Sequence, residues 1–156
     1  MTRCRIGSRN GRAVAGFLLV LGLLASGIVT DHARAAAPGV RAERLLALTN
    51  EARTSHQRSA LALDADLSRY AKAHSRQMAR QGRLFHSEDL ASRLEGLEWT
   101  VGGENVGVGS SLTRLQAAFL ASKPHRRNIL RGAYDHAAIG IVKSDGNLWV
   151  TVIFYG

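Results

Sequence analysis

The apolar positions along this chain fall into three regimes. From Ala13 to Thr30 they run together as AVAGFLLVLGLLASGIVT, with no charge among them. After Pro38 the spacing becomes helical. Leu45, Leu46, Leu48 and Ala52 predict a first helix from Arg41 to about Arg53, with Pro38 and Gly39 just before it. A longer second helix is predicted from Asp64 as N-cap to Gly82 just past its end, with the stripe Leu67, Ala71, His74 and Met78 turned inward. A short helix capped by Ser87 covers Asp89 to Leu94. A fourth runs from Ser111 to about Ala121, with Leu112, Leu115, Phe119 and Leu120 inward. Pro124, in a first turn, opens a fifth through Leu130, stopped by Gly132. Beyond it the period drops to that of strands, at Ala137 to Val142 and Leu148 to Tyr155. The connection Lys143 to Asn147 places Asp145-Gly146 in a hairpin turn. Between Trp99 and Gly109 the segment WTVGGENVGVG carries four glycines and predicts turns and close backbone approach. The fold expected is α+β, with helices packed around a small, mostly antiparallel sheet.

The first apolar run belongs to a different process. Arg3, Arg5, Arg9 and Arg12 precede it, and Ala33-Arg34-Ala35 with Ala36 and Ala37 follows. A basic start, an apolar stretch and a small-residue cleavage site make residues 1–37 a signal peptide, cut near 35–37. The run is at the short edge of a bilayer span, about 20 residues. Residues 38–156 then form a single domain, expected to be a secreted or envelope-associated monomer with no stable membrane span. Its one cysteine, Cys4, lies in the leader. The mature domain therefore cannot lean on disulfides as many small exported domains do, and must stand on one core.

Charge changes with processing. Of 21 Lys+Arg and 12 Asp+Glu, the leader to Ala35 holds five and one, leaving 16 against 11. The remaining excess suits weak attraction to anionic cell-surface polymers. Nucleic acid is not an expected partner of an exported chain without a nucleic-acid motif.

Three segments carry candidate chemistry: Phe85-His86-Ser87, Gly103-Glu104-Asn105-Val106, and Ser122 through Leu130 (SKPHRRNIL). Each also has a plain structural reading. His86 reads as a loop residue and Ser87 as a cap. Glu104 reads as a surface acid and Asn105 as a turn bridge. Ser122 reads as the cap of the helix at Pro124, accepting the His125 amide, and Asn128 as a tie to a neighbouring loop.

Taken in order, the segments resemble the CAP superfamily of cysteine-rich secretory proteins, antigen 5 and plant pathogenesis-related proteins, also called the SCP domain. They are most similar to its short bacterial secreted branch. The resemblance runs from about Leu45 to Gly156. It includes Asn50-Glu51-Ala52-Arg53, the Leu61 to Leu67 entry to the second helix, the His86 loop, Gly-Glu-Asn, Ser-x-x-His-x-x-Asn-Ile-Leu, Ile139-Gly140-Ile141 and Trp149 to Tyr155. It implies an α-β-α sandwich with a cleft of two histidines and two acids. His86, Glu104 and His125 match three of these positions. Ser122 stands at the fourth, where larger animal and plant members carry an acid. Phe119 stands where an aromatic, commonly Trp, is found.

Three functions follow as expectations. The favoured one is a non-catalytic binding module for a lipid, glycan, protein or other cell-surface ligand, with His86, Glu104, Ser122 and His125 along the cleft. The second is a Zn²⁺ cleft of His86, His125 and Glu104 with a water in the fourth place, Glu104 alternatively only orienting a histidine. The third is a hydrolase with Ser122, His125 and Glu104 as nucleophile, base and acid. Among the other histidines, His74 reads as a hydrogen-bonded core residue, His56 as a loop residue and His136 as a residue just before a strand. Trp149 and Tyr155 read as core or sheet-face residues. Arg126-Arg127 reads as a solvated pair that would favour an anionic head group.

Overall fold

A computed structural model describes residues 38–156. The leader, its apolar run and its cleavage site lie outside the described residues. Among the described residues no helix is long and apolar enough to cross a membrane.

Among the described residues, five helices and four strands follow in the order α1 (Pro38–Ser55), β1 (Ala62–Leu63), α2 (Ala65–Gln81), α3 (Leu90–Leu94), β2 (Gly102–Gly109), α4 (Leu112–Ala121), α5 (Lys123–Leu130), β3 (His136–Ser144) and β4 (Asn147–Tyr155). The strands form one sheet in the order β1-β3-β4-β2. Only the two-residue β1 pairs in parallel, with β3; β4 pairs antiparallel with both β3 and β2.

Alternation along β3 and β4 builds two cores. Ala137, Ile139, Ile141, Val150, Val152 and Phe154 face α1, α4 and α5. Ala138, Ile153 and Tyr155 face the other way, against Leu67 and Ala71 of α2 and Leu94 of α3. The result is the helix–sheet–helix sandwich that the resemblance implies, with the helices and mostly antiparallel sheet that the sequence pattern predicts.

The local signals explain most boundaries. Asp64 caps α2 by accepting the Leu67 amide at 2.8 Å, and Gly82 ends it in the left-handed region at φ 62°. The α2 stripe Leu67, Ala71, His74 and Met78 is buried, joined by Ser75. Ser111 caps α4 by accepting the Arg114 amide. Asp145 and Gly146 both take positive φ, 48° and 77°, as a two-residue hairpin turn of the mirror-image type requires.

Several expectations are corrected. Helix α1 begins at Pro38, because proline is well suited to a first helical position, where no backbone N–H is needed. The glycine segment is not a run of turns but strand β2, paired with β4 from Gly102↔Tyr155 to Gly109↔Leu148. Its glycines do serve close approach: a Cβ at Gly107 would strike the Phe119 ring, and one at Gly109 would crowd Leu115. Helix α4 thereby lies directly on the strand. Ser87 caps nothing; α3 starts after Asp89, whose side chain makes no capping bond. Ser122 is the N-cap residue of α5, but its hydroxyl makes no capping bond; its carbonyl accepts the Arg126 amide at 2.8 Å. Helix α5 ends at Leu130 with Arg131, not Gly132, as its C-cap.

Candidate functional site

Strand β2 lies at the sheet edge and carries Glu104 and Asn105 as neighbours on opposite faces. Glu104 points toward α2 and the 86–87 loop. Asn105 points toward α5, on the same face as Gly103 and Gly107.

On the first face, Glu104 is the anchor. Its side chain is 4% exposed, whereas that of His86 is 62% exposed. Oε1 lies 2.8 Å from His86 Nδ1 and accepts the Ser87 amide at 2.9 Å. Oε2 accepts the Ser87 hydroxyl at 2.6 Å. A carboxylate engaged in this way has acceptors only, so Nδ1 of His86 carries the hydrogen and Nε2 is left as the free edge of the ring. A buried acid with three donors thus fixes the rotamer and tautomer of an exposed imidazole.

His74 stands behind this pair. Its Nδ1 is 3.1 Å from Thr151 Oγ1 and 3.8 Å from Glu104 Oε2. Thr151 Oγ1 also accepts the Ser75 hydroxyl at 2.9 Å. The ring packs edge-on against Phe85 at 5.1 Å between centroids. The expected hydrogen-bonded core histidine is found, and its Nε2 is buried without a partner among the described residues. His74, Phe85, His86 and Ser87 contribute to the wall of a polar groove of about 450 Å³, together with Tyr70 and Asp89.

On the second face, two asparagines tie β2 to α5. Asn105 donates to the His125 carbonyl at 3.1 Å. Asn128 donates to the Glu104 carbonyl at 3.1 Å and to Asn105 Oδ1 at 2.9 Å. These bonds fix the backbone on which Glu104 and His125 sit. The His125 ring meets Phe119 edge-on at 5.1 Å. Burial lowers its pKa below the ordinary 6.5, and the nearby charge of His86 lowers it further. Both effects favour the neutral form of His125.

These distances decide what the arrangement can do. Among the described residues no three His, Cys, Asp or Glu side chains converge into a metal-holding group. Both oxygens of Glu104 are occupied by the 86–87 loop, which leaves two imidazoles where a catalytic zinc takes three protein ligands. The set His86, Glu104 and His125 does not fit a tightly held Zn²⁺; Glu104 instead acts as the partner that orients His86. The triad reading meets the same obstacle, since Glu104 orients His86 and not His125.

Two further residues matter in roles that the sequence reading did not assign to them. Ser87 supplies two of the three donors to Glu104. Arg53, fully buried, donates to the carbonyls of Ser59, Ile129, Arg131 and Tyr134 at 2.7–3.0 Å. It binds the C-terminal end of α5 to α1 and so holds the helix that carries His125. Of the remaining histidines, His56 bonds the Ala52 carbonyl in the turn after α1, and His136 stacks on Tyr155 at 4.9 Å. Neither joins the site.

Residues 46–154 match the model of the cysteine-rich secretory protein family, CAP. The YkwD protein of Bacillus subtilis strain 168 is 29% identical over 114 residues, covering 69% of this chain and 44% of the relative. Among solved structures, an extracellular protein of Bacillus anthracis containing an SCP domain aligns with a TM-score of 0.65 at 25% identity, over 76% of this chain and 41% of that one. An outer surface protein of Borrelia burgdorferi aligns with a TM-score of 0.68 at 18% identity, over 77% of this chain and 95% of that one. The chain thus spans less than half the length of its two Bacillus relatives. With the sandwich and the ordered His86, Glu104 and His125 segments in place, the match over residues 46–154 shows that the chain belongs to the CAP, or cysteine-rich secretory protein, family.

Proposed function

We propose that this CAP domain is an extracellular binding module that holds its ligand without turnover, through the polar surface around His86 and His125. The observation that carries the reading is the threefold engagement of Glu104 by His86 and Ser87. A carboxylate spent on orientation is not available as a base, and it presents a preset imidazole edge to a ligand. His125, whose neutral form burial favours, adds a second imidazole to the surface. The groove beside His86, with histidine, serine, aspartate and tyrosine side chains on its walls, suits a hydroxyl-rich ligand such as a glycan better than an acyl chain. Export is supported by the basic, apolar and small-residue order of the leader, and by the description of the B. anthracis neighbour as extracellular.

The test is a glycan and lipid binding screen of the exported protein beside His86→Ala and His125→Ala, with ester and peptide turnover followed on the same samples. Glycan binding that both substitutions weaken, without turnover, supports the reading. Hydrolysis by the wild type that Ser122→Ala abolishes would replace it with the hydrolase. Stoichiometric Zn²⁺ uptake by chelator-stripped protein, lost in both histidine variants, would replace it with the metal cleft.

A further inference from the structure

One stretch of the chain carries cations and no acids. Between Asn105 and Tyr134 there is no Asp or Glu, while Arg114, Lys123, Arg126, Arg127 and Arg131 all fall inside it. Helix α5 gathers three of them. Lys123 lies three and four residues before Arg126 and Arg127, so the three share one side of the helix. With Ala121 and Leu130 they line a groove of about 450 Å³, and all three are exposed. Among the described residues none of the three has a carboxylate within ion-pair distance, whereas Arg69 and Arg93 are paired with Asp66 and Asp89. Three adjacent unneutralised cations raise the local potential and draw in anions.

The shape of the face selects among anionic partners. The large exposed apolar side chains of the domain are Val40, Leu84, Leu97 and Val108, and none of them lines this groove. A bilayer-seeking face pairs its cations with apolar side chains that enter the acyl region; this face has a groove instead. We infer that the α5 groove is a docking site for an extended, soluble phosphate polymer, with Lys123, Arg126 and Arg127 pairing with successive phosphates. The two guanidinium groups offer forked donors that match phosphate oxygens, and Lys123 adds a point charge. The groove shares α5 with His125 but includes neither His86 nor Glu104, so His86→Ala tests the proposed ligand surface separately.

The experiment titrates the exported protein with inorganic polyphosphate across a salt series, and in parallel with phosphatidylglycerol vesicles. It compares Lys123→Ala/Arg126→Ala/Arg127→Ala with Arg44→Ala/Arg76→Ala/Arg80→Ala, which removes the same charge from exposed positions on α1 and α2. Circular dichroism confirms that both triple variants fold. The α5 variant is expected to bind polyphosphate about tenfold or more weakly, and to flatten the plot of log affinity against log salt by about 2. The control variant should stay near wild type. Equal losses in the two variants would show that net charge alone is at work and would overturn the inference. So would an absence of polyphosphate binding at low salt, or α5-dependent binding to vesicles in its place.

Discussion

Nδ1 of His86 lies 2.8 Å from Oε1 of Glu104, and of the two it is the acid that is buried. The direction of support therefore runs from Glu104 outward. Glu104→Ala would strand the Ser87 N–H and O–H as well as the imidazole. We expect a loss of about 2 kcal/mol in stability, with faster amide exchange at Ser87 and a His86 ring no longer fixed in one tautomer by nitrogen chemical shifts. Glu104→Gln keeps an acceptor for one or two of these donors and should fall between. Unchanged exchange at Ser87 in Glu104→Ala would show that the loop is held by other contacts.

Arg53 makes the strongest structural prediction. Its guanidinium serves four carbonyls in a site with no exposure, and burial together with Arg58 lowers its pKa. Arg53→Met leaves those carbonyls unpaired and should cost about 3 kcal/mol or more in chemical denaturation. Arg53→Lys cannot reproduce the fork and should recover only part of the loss. The same variants should loosen α5 and lower ligand affinity at His125 even where the fold survives.

How much of this was legible in the sequence varies by element. Helix α2 was readable at both ends because its cap, stripe and terminating glycine are all local signals. Strand β2 was not, because glycine disfavours isolated strands and the partner that pairs it, β4, lies some forty residues downstream. His86, Glu104 and His125 were legible as a set only through their order along the chain. That Glu104 serves His86 and Ser87, not His125, depends on which face of an edge strand each side chain occupies, and a missed strand hides its faces. Ser87 looked like a helix cap because serine before a short amphipathic segment usually is one; a buried carboxylate outcompeted the helix for its hydroxyl. Arg53 gave no polarity signal of its own, since an arginine near a helix end reads as a solvated charge.

Stability should depend on pH through His125. Its folded pKa lies below the ordinary 6.5, chiefly because of burial and secondarily because of His86. The unfolded chain then binds the proton more readily, so this contribution is present in full above about 6.5 and is lost as pH falls through the folded value. The denaturation midpoint should drop between pH 7 and pH 5, and His125→Gln should show a smaller drop over the same range. An identical profile in His125→Gln would assign the pH dependence elsewhere.

Gly140 marks the closest approach of α2 to the sheet. A Cβ there would overlap the backbone of Ala71 and Lys72, which cannot yield as a side-chain tip can. Gly140→Ala should push α2 off β3 and destabilise the domain by about 2 kcal/mol or more. Because His74 rides on α2 and reaches Thr151 of β4, the same change should break that 3.1 Å contact. Thermal melting and the His74 ring shifts report the two effects separately.

The claim that the His86–Glu104–His125 surface binds a ligand without turnover is tested most directly by amide chemical-shift mapping of the ¹⁵N-labelled protein against a panel of soluble glycans. The account predicts perturbed amides clustered at His86, Ser87, Glu104, Asn105 and His125, with the glycan recovered intact. Perturbations centred on another surface, or cleavage of the glycan during the titration, would contradict it.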